Sequence, residues 1–201
     1  MSHPALVIGL SGLTGSGKTT LSKLLRKQFR IPVLPVSYLI GLEAKKRGLT
    51  TRAWAEFLVA KGGARAVIES IRPVIMKMAK RNQVFIVEGL YRPEDYITVK
   101  EMLPKTKTLL INMDAKRESR LERIVLRQKI SQTDAEKWVN DFDRARQSIG
   151  LDELQRIADV TIHNQESFPR LNQTLLERIY SKAGISLKNS RRRPQRVRKT
   201  K

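Results

Sequence analysis

The chain has 201 residues, enough for one domain with a proper core, and its 40% hydrophobic and 29% charged content is ordinary for a soluble globular protein. It has no cysteine and two histidines, His3 and His163, which excludes disulfides, thiolate metal sites and a histidine-rich metal centre. The formal net charge is +21; Lys188 to Lys201 holds eight Lys/Arg and no acid, leaving 32 basic against 19 acidic residues, or +13, in the body.

A basic body suits polyanionic ligands. The tail suits nucleic acid or an acidic surface, or simple solvation. No apolar run approaches 18 residues and the N-terminus lacks a signal peptide's regions, so a cytoplasmic protein with no membrane contact is expected.

In chain order, Ala5 to Leu10 is an apolar run of strand length, followed by Gly12-Leu-Thr-Gly-Ser-Gly-Lys-Thr-Thr20. From Thr20 to Phe29, Leu21, Leu24 and Leu25 fall at helical spacing opposite Lys23, Arg26 and Lys27. Ile31 to Val36, interrupted by Pro32 and Pro35, reads as a short strand near a sheet's rim. Tyr38 to Arg47 and Arg52 to Ala60 read as helices. Ala64, Val67, Ile71, Val74, Ile75 and Met78 then share one helical face, with Pro73 expected to kink or divide it.

Gln83 to Glu88 is a second strong strand, apolar on both faces and ending in an acid. A helix after Pro93, a strand at Thr108 to Ile111 and a helical region from Ala115 to Lys129 follow. Thr133 with Glu136 predicts a capping box opening a helix with Trp138, Val139 and Phe142. Asp159 to Ile162 is a last short strand, and Leu171, Leu175 and Ile179 mark a closing helix. Strands alternating with helices predict an α/β fold: a mainly parallel sheet, helices on both faces, ligands at the C-terminal strand ends; the family resemblance given below implies that the sheet has five strands.

The stretch from Gly12 fits G-x-x-x-x-G-K-[ST] without a mismatch, and it has the strand before and the helix after that the pattern requires. Glycines let successive N–H groups turn toward phosphate oxygens, and the helix opening near Gly17 adds its positive end. Gly12, Thr14, Gly15, Ser16, Gly17 and Thr20 are therefore the expected phosphate cradle. Lys18 is placed to reach the β- and γ-phosphates and the Thr19 hydroxyl to ligate magnesium.

Glu88, just before Gly89, is the acid expected beside Thr19 at the metal, as in P-loop NTPases; a strand-end acid capping a turn is the bland alternative. Arg120, Arg123 and Arg127 lie at i, i+3 and i+7 on one helical face. Like charges so arranged repel unless an anion sits among them, which a phosphoryl group in flight would supply; pairing with Glu118 and Glu122 would make the same face ordinary.

These pieces, in this order, resemble the nucleoside monophosphate kinase superfamily, most closely dephospho-CoA kinases and an archaeal group related to adenylate kinase. The similarity rests on GLTGSGKTT, EAKKRGLT at 43–50, VFIVEGLYR at 84–92, the arginine helix and IADVTIHNQES at 157–167. It implies a three-layer P-loop kinase domain over 1–184, an acceptor-binding region near 38–80 and a lid near 115–147; composition sets a basic tail, expected to be disordered, at 185–201. The similarity implies ATP and Mg2+ as cofactors, Lys18 and Thr19 binding them, catalytic roles for Lys18, Glu88, Arg120, Arg123 and Arg127, and Asn164 beside the base.

The chain departs from the family's pattern where an aspartate usually follows the second strand: Val36-Ser-Tyr38 stands there, without an acid. Gly41 or a neighbour replaces a following arginine, and Glu43 or Glu88 is a candidate substitute for the missing base. After the lid, Phe142-Asp143 and Arg146 stand where the archaeal group has an Arg-Asp pair and a Glu. The expected function is phosphoryl transfer from Mg-ATP to a small phosphate-bearing acceptor, a nucleoside monophosphate or a dephospho-CoA-like molecule. The alternative is a kinase-fold NTPase or nucleotide sensor that has lost acceptor chemistry and meets nucleic acid through residues 188–201.

Overall fold

In the computed structural model, which describes residues 4–164 together with 179 and 181, the apolar runs become the strands of one sheet. Its strands are β1 (Leu6–Gly12), β2 (Val33–Pro35), β3 (Val84–Glu88), β4 (Lys107–Asp114) and β5 (Val160–His163). Their order is β2-β3-β1-β4-β5, and every neighbouring pair is parallel. The sheet is thus wholly rather than mainly parallel. β2, with Pro35 unable to donate to a ladder, takes the edge. The order reverses around β1, and a crevice opens at the C-terminal ends of β1 and β3.

Alternation along β1 distributes the core. Leu6, Ile8 and Leu10 face Leu21 and Leu25 of α1 (Lys18–Phe29), joined by Ile86, Ile111 and Ile179. Val7, with Phe85, Val87 and Leu110, packs on the other face against α2 (Val36–Lys45), α4 (Ala66–Ser70), α5 (Arg72–Arg81), α6 (Pro93–Met102) and α9 (Leu151–Arg156). α3 (Thr51–Gly62) lies outside this layer, packed on α2 and α4. Two covered faces explain why the strands read as continuous apolar runs.

Several element bounds differ from the sequence reading for local reasons. The helical face around Pro73 is divided: α4 stops at Ser70, and Pro73 sits in the first turn of α5, where its missing N–H costs nothing. β4 runs on to Asp114, so α7 (Arg117–Gln128) starts later than Ala115. The cap of α8 (Gln132–Gln147) is Ser131, whose Oγ accepts from the Asp134 N–H, and not the predicted Thr133–Glu136 box. Ser131 is extended, as an N-cap must be, while Thr133 is already helical.

The predicted helix stripe at Leu171 and Leu175 and the tail at 188–201 lie outside the described residues. Among the described residues no helix is long and apolar enough to cross a membrane.

Candidate phosphate-binding cleft

The phosphate loop leaves β1 through Gly12, whose φ of 133° is unsuited to a side chain; a Cβ there would lie 2.3 Å from the Met113 carbonyl oxygen. At Gly15 (φ 80°), a Cβ would lie 2.9 Å from the Arg120 carbonyl oxygen, because the loop rests on α7. Gly17 caps α1 with no side chain on its first N–H groups, and no acid occupies that first turn. An uncapped, acid-free helix start is the arrangement that an anion satisfies.

The loop's carbonyls are held from behind. Lys18 Nζ donates to Gly12 O at 2.7 Å and to Leu13 O at 2.8 Å. Arg120 Nη1 donates to Thr14 O at 3.1 Å, Arg123 Nη1 to Gly15 O at 3.2 Å, and Asn164 Nδ2 to Ser16 O at 2.8 Å. Burial, followed by the charge of Arg146, lowers the Lys18 pKa to about 7. Thr19 Oγ1 donates to Glu88 Oε1 at 2.5 Å, which brings together the two residues expected at the metal.

The three arginines of α7 share a face and yet have separate partners. Arg120 is only 5% exposed, and its Nη1 also reaches Asp143 Oδ2 on α8 at 2.7 Å. It therefore stands behind the loop and does not line the cleft, a correction to its expected place at the transferring group. A buried guanidinium needs a carboxylate, and Asp143 supplies it. Arg123 binds Gly15 O and, through Nη2, Asn164 O at 2.9 Å, yet still borders the cleft. Arg127 lies 5.8 Å from the Trp138 ring centroid and also lines the cleft. Glu118 and Glu122 form no ion pair with any of them among the described contacts.

α7 and α8 share a small core of Leu121, Ile124, Ala135 and Val139. This helix pair borders a cleft of about 510 Å³. Thr14, Gly15 and Gly17 to Thr20 form one side; Pro35, Ser37, Tyr38, Glu88, Gly89 and Tyr91 line it at the ends of β2 and β3; α7 and α8 contribute the rest.

Gly12 and Ser16 stand behind this lining, as does Asn164. The Asn164 side chain was expected beside a base, but it is 1% exposed and spent on the Ser16 carbonyl. Glu43 is a second correction. It pairs with Lys46 at 2.7 Å and Arg47 at 2.8 Å on the surface of α2, outside the cleft lining, and those partners hold its carboxyl below the ordinary range. Where the acceptor-side aspartate was missing, exposed Ser37 and Tyr38 face the cleft.

Arg146 and Tyr91 were passed over as site residues. The Arg146 guanidinium donates to Thr14 Oγ1 and lies 4.3 Å from the Tyr91 ring centroid and 5.5 Å from that of Phe142. The signal was present in the spacing of Trp138, Phe142 and Arg146 at i, i+4 and i+8, which puts them on one face of α8. Tyr91 is set by buried Asp95, whose Oδ2 accepts from the Tyr91 and Arg92 N–H groups at 3.0 and 3.1 Å. Burial pushes the Asp95 carboxyl up to about 6.

A family model described as an AAA domain matches residues 11–139. A UPF0200/UPF0201 protein of Archaeoglobus fulgidus is 27% identical over 180 residues, covering 85% of this chain and 55% of that protein, so the chain spans about half that relative's length. Among solved structures, TT1252 from Thermus thermophilus is similar with a TM-score of 0.61 at 22% identity, covering 90% of this chain and 98% of that one. Shikimate kinase from Acinetobacter baumannii, in complex with shikimate, is similar with a TM-score of 0.53 at 21% identity, covering 87% and 93%. The likeness is one of fold, a P-loop kinase fold.

Proposed function

The chain belongs to the AAA domain family and has a P-loop kinase fold, and from that premise we propose that it transfers the γ-phosphoryl of Mg-ATP to a small nucleotide-like acceptor, a nucleoside monophosphate or a dephospho-CoA-like molecule. One observation carries this reading. Four cationic side chains, Lys18, Arg123, Arg127 and Arg146, line a cleft whose only acid among the described lining residues is Glu88. Positive charge so gathered at an uncapped helix start needs a polyanion.

The residues fit the cofactors. Magnesium takes few protein oxygens and completes its shell with phosphate and water, which suits the Thr19–Glu88 pair. Mg-ATP, when bound, supplies the phosphoryl group and the metal's charge. The loop N–H groups and Lys18 hold the phosphates, with Lys18 exchanging the Gly12 and Leu13 carbonyls for phosphate oxygens. Arg123 borders the same place, while Arg120 acts through the loop it holds. Ser37, Tyr38 and Gly89 bound the side open to an acceptor, and phosphoryl transfer draws mainly on positioning and charge, so a cleft without an aspartate there remains competent.

The test is transfer from labelled ATP with magnesium across nucleoside monophosphates, deoxynucleotides and dephospho-CoA, with Lys18→Ala as control. A labelled acceptor that disappears in the variant supports the proposal. ATP bound with no acceptor labelled would sink it.

The missing acid at the end of β2 favours a second reading, a nucleotide-responsive NTPase that meets nucleic acid through residues 188–201. Phosphate contacts by the tail's Lys/Arg would give steep salt dependence. Deleting 188–201 should then flatten the salt slope; an unchanged slope counts against the tail.

A further inference from the structure

We propose that the outer face of α3 binds single-stranded nucleic acid, with a base stacked on the exposed ring of Phe57 and the adjoining phosphate held by Lys61. None of the residues concerned lines the cleft, so the site stands apart from the Mg-ATP reading and from the tail at 188–201.

α3 rests on the core through Ala55, Leu58 and Val59, with Trp54 at their edge, and none of its residues is fully buried. Trp54, Phe57 and Lys61 fall at i, i+3 and i+7, on a stripe beside that contact. The rings of Trp54 and Phe57 stack, with centroids 5.1 Å apart and planes 16° from parallel. Trp54 therefore covers one face of Phe57, and Phe57 is still 44% exposed. An exposed ring prealigned on a second ring is a ready platform for a third.

Each ring also has a cation beside it. The Arg47 guanidinium lies 4.2 Å from the Trp54 centroid, and Lys61 Nζ lies 5.3 Å from that of Phe57. The two differ in freedom. Arg47 Nη1 donates to the Glu43 carbonyl and carboxylate, both at 2.8 Å, so it is fixed. Lys61 is exposed and joins no carboxylate among the described ion pairs, so it can leave the ring for a phosphate.

Charge selects the partner. From Glu43 to Arg65 the chain has six Lys/Arg against two Glu, or +4. Both acids are engaged, Glu43 by Lys46 and Arg47 and Glu56 by Arg52, so a phosphate at Lys61 meets no unpaired carboxylate among them. An acidic protein surface would answer the cations and leave the ring unused. A duplex would also meet the cations, but its base faces are stacked on one another. A single strand uses both features, since each nucleotide carries one open face and one charge.

The test is binding of labelled oligouridylate of about twelve nucleotides to the full chain, read by anisotropy across a range of salt. Phe57→Leu keeps an apolar side chain and removes the ring; its affinity should fall about tenfold with the salt slope unchanged. Phe57→Tyr should bind as the parent does. Lys61→Met should reduce the salt slope by about 0.7, the share of one phosphate, and carries the test should Phe57→Leu unfold. Duplex RNA, which the tail's charges alone can hold, should bind Phe57→Leu and the parent equally. The chain has two tryptophans, so Trp138→Phe leaves Trp54 as the reporter, and oligouridylate should quench its emission. Oligothymidylate is run beside it; a Phe57 effect on both or on one alone supports the site and tells RNA from DNA.

Unchanged single-strand affinity in Phe57→Leu overturns the inference, as does an equal loss for single strand and duplex, an unchanged slope in Lys61→Met, or Trp54 emission that oligouridylate does not alter. Self-association that Phe57→Leu abolishes would give the face to a second copy and overturns it too. All of these leave the Mg-ATP reading standing, and a chain that transfers no phosphate yet shows the Phe57 effect keeps the α3 site.

Discussion

Lys18 gives the most quantitative prediction. Burial, with Arg146 nearby, holds its pKa at about 7, against 10.5 for an ordinary lysine. Phosphate oxygens would restore the charged form, so binding must take up a proton wherever the unliganded side chain has lost one. Only about one tenth of Lys18 is charged at pH 8 and about one hundredth at pH 9, so affinity for a non-hydrolysable Mg-ATP analogue should fall about tenfold per pH unit above 7. Phosphate itself titrates near pH 6, which leaves the window from 7 to 9 to the lysine. Calorimetry in buffers of different ionisation enthalpy should record uptake of about 0.9 proton at pH 8.

Fold stability carries the opposite sign from a favourable ion pair. The unfolded chain keeps the Lys18 proton up to about 10.5, the folded chain releases it near 7, and between these values the unfolded state binds more protons. Lys18 therefore destabilises the fold most below pH 7, and stability should rise with pH by about 1.4 kcal/mol per unit across the lower part of that window. Asp95, at about 6, has completed its own titration by then. Lys18→Met should abolish both the proton uptake and its share of the stability slope. Affinity that stays flat from pH 7 to 9, with uptake under about 0.2 proton, would refute the reasoning.

Three further substitutions test the scaffold. Arg120→Ala should cost about 2–4 kcal/mol in urea unfolding, because it removes a buried guanidinium that holds the Thr14 carbonyl and leaves the half-buried Asp143 without its partner, and the Arg120→Met, Asp143→Leu double variant should recover part of that loss. Gly12→Ala should cost more than about 2 kcal/mol in the same assay, since its φ and the Met113 carbonyl both oppose a Cβ. Glu88→Gln keeps an oxygen for Thr19, so stability should change by less than about 1 kcal/mol, while the magnesium midpoint for ATP turnover should rise at least about tenfold.

The sequence made the sheet and the phosphate loop legible because both are local patterns. Apolar runs such as Val84 to Val87 predict covered strands, and the glycine spacing after β1 predicts a tight loop at a helix start. Element ends such as the cap of α8 were less clear, because Ser131 and Thr133 are both competent caps and backbone geometry chose between them. The partners of Arg120, Arg146 and Asn164 could not be read at all. Each reaches a loop residue more than a hundred positions earlier, and periodicity along α7 or α8 reports which face a side chain occupies, not what that face meets. Chemistry assigned from the stripe alone therefore gave Arg120 a cleft it does not line.

The same long-range contacts separate two kinds of work. Thr14, Gly15 and Ser16 offer three successive carbonyls to Arg120, Arg123 and Asn164. In a trans peptide the following N–H points opposite to the carbonyl, so this clamp fixes the orientation of the Gly15 and Gly17 N–H groups, while the Ser16 N–H is bonded to the Leu13 carbonyl. Glycine permits the turn, and the clamp selects its orientation. Asn164→Ala removes one clamp while touching nothing in the cleft lining. A loosened loop should hold Mg-ADP and its aluminium fluoride complex equally less well, by about tenfold for one hydrogen bond of this kind. An Asn164→Ala variant that binds both as tightly as the parent would mean that the glycines alone set the turn of the loop.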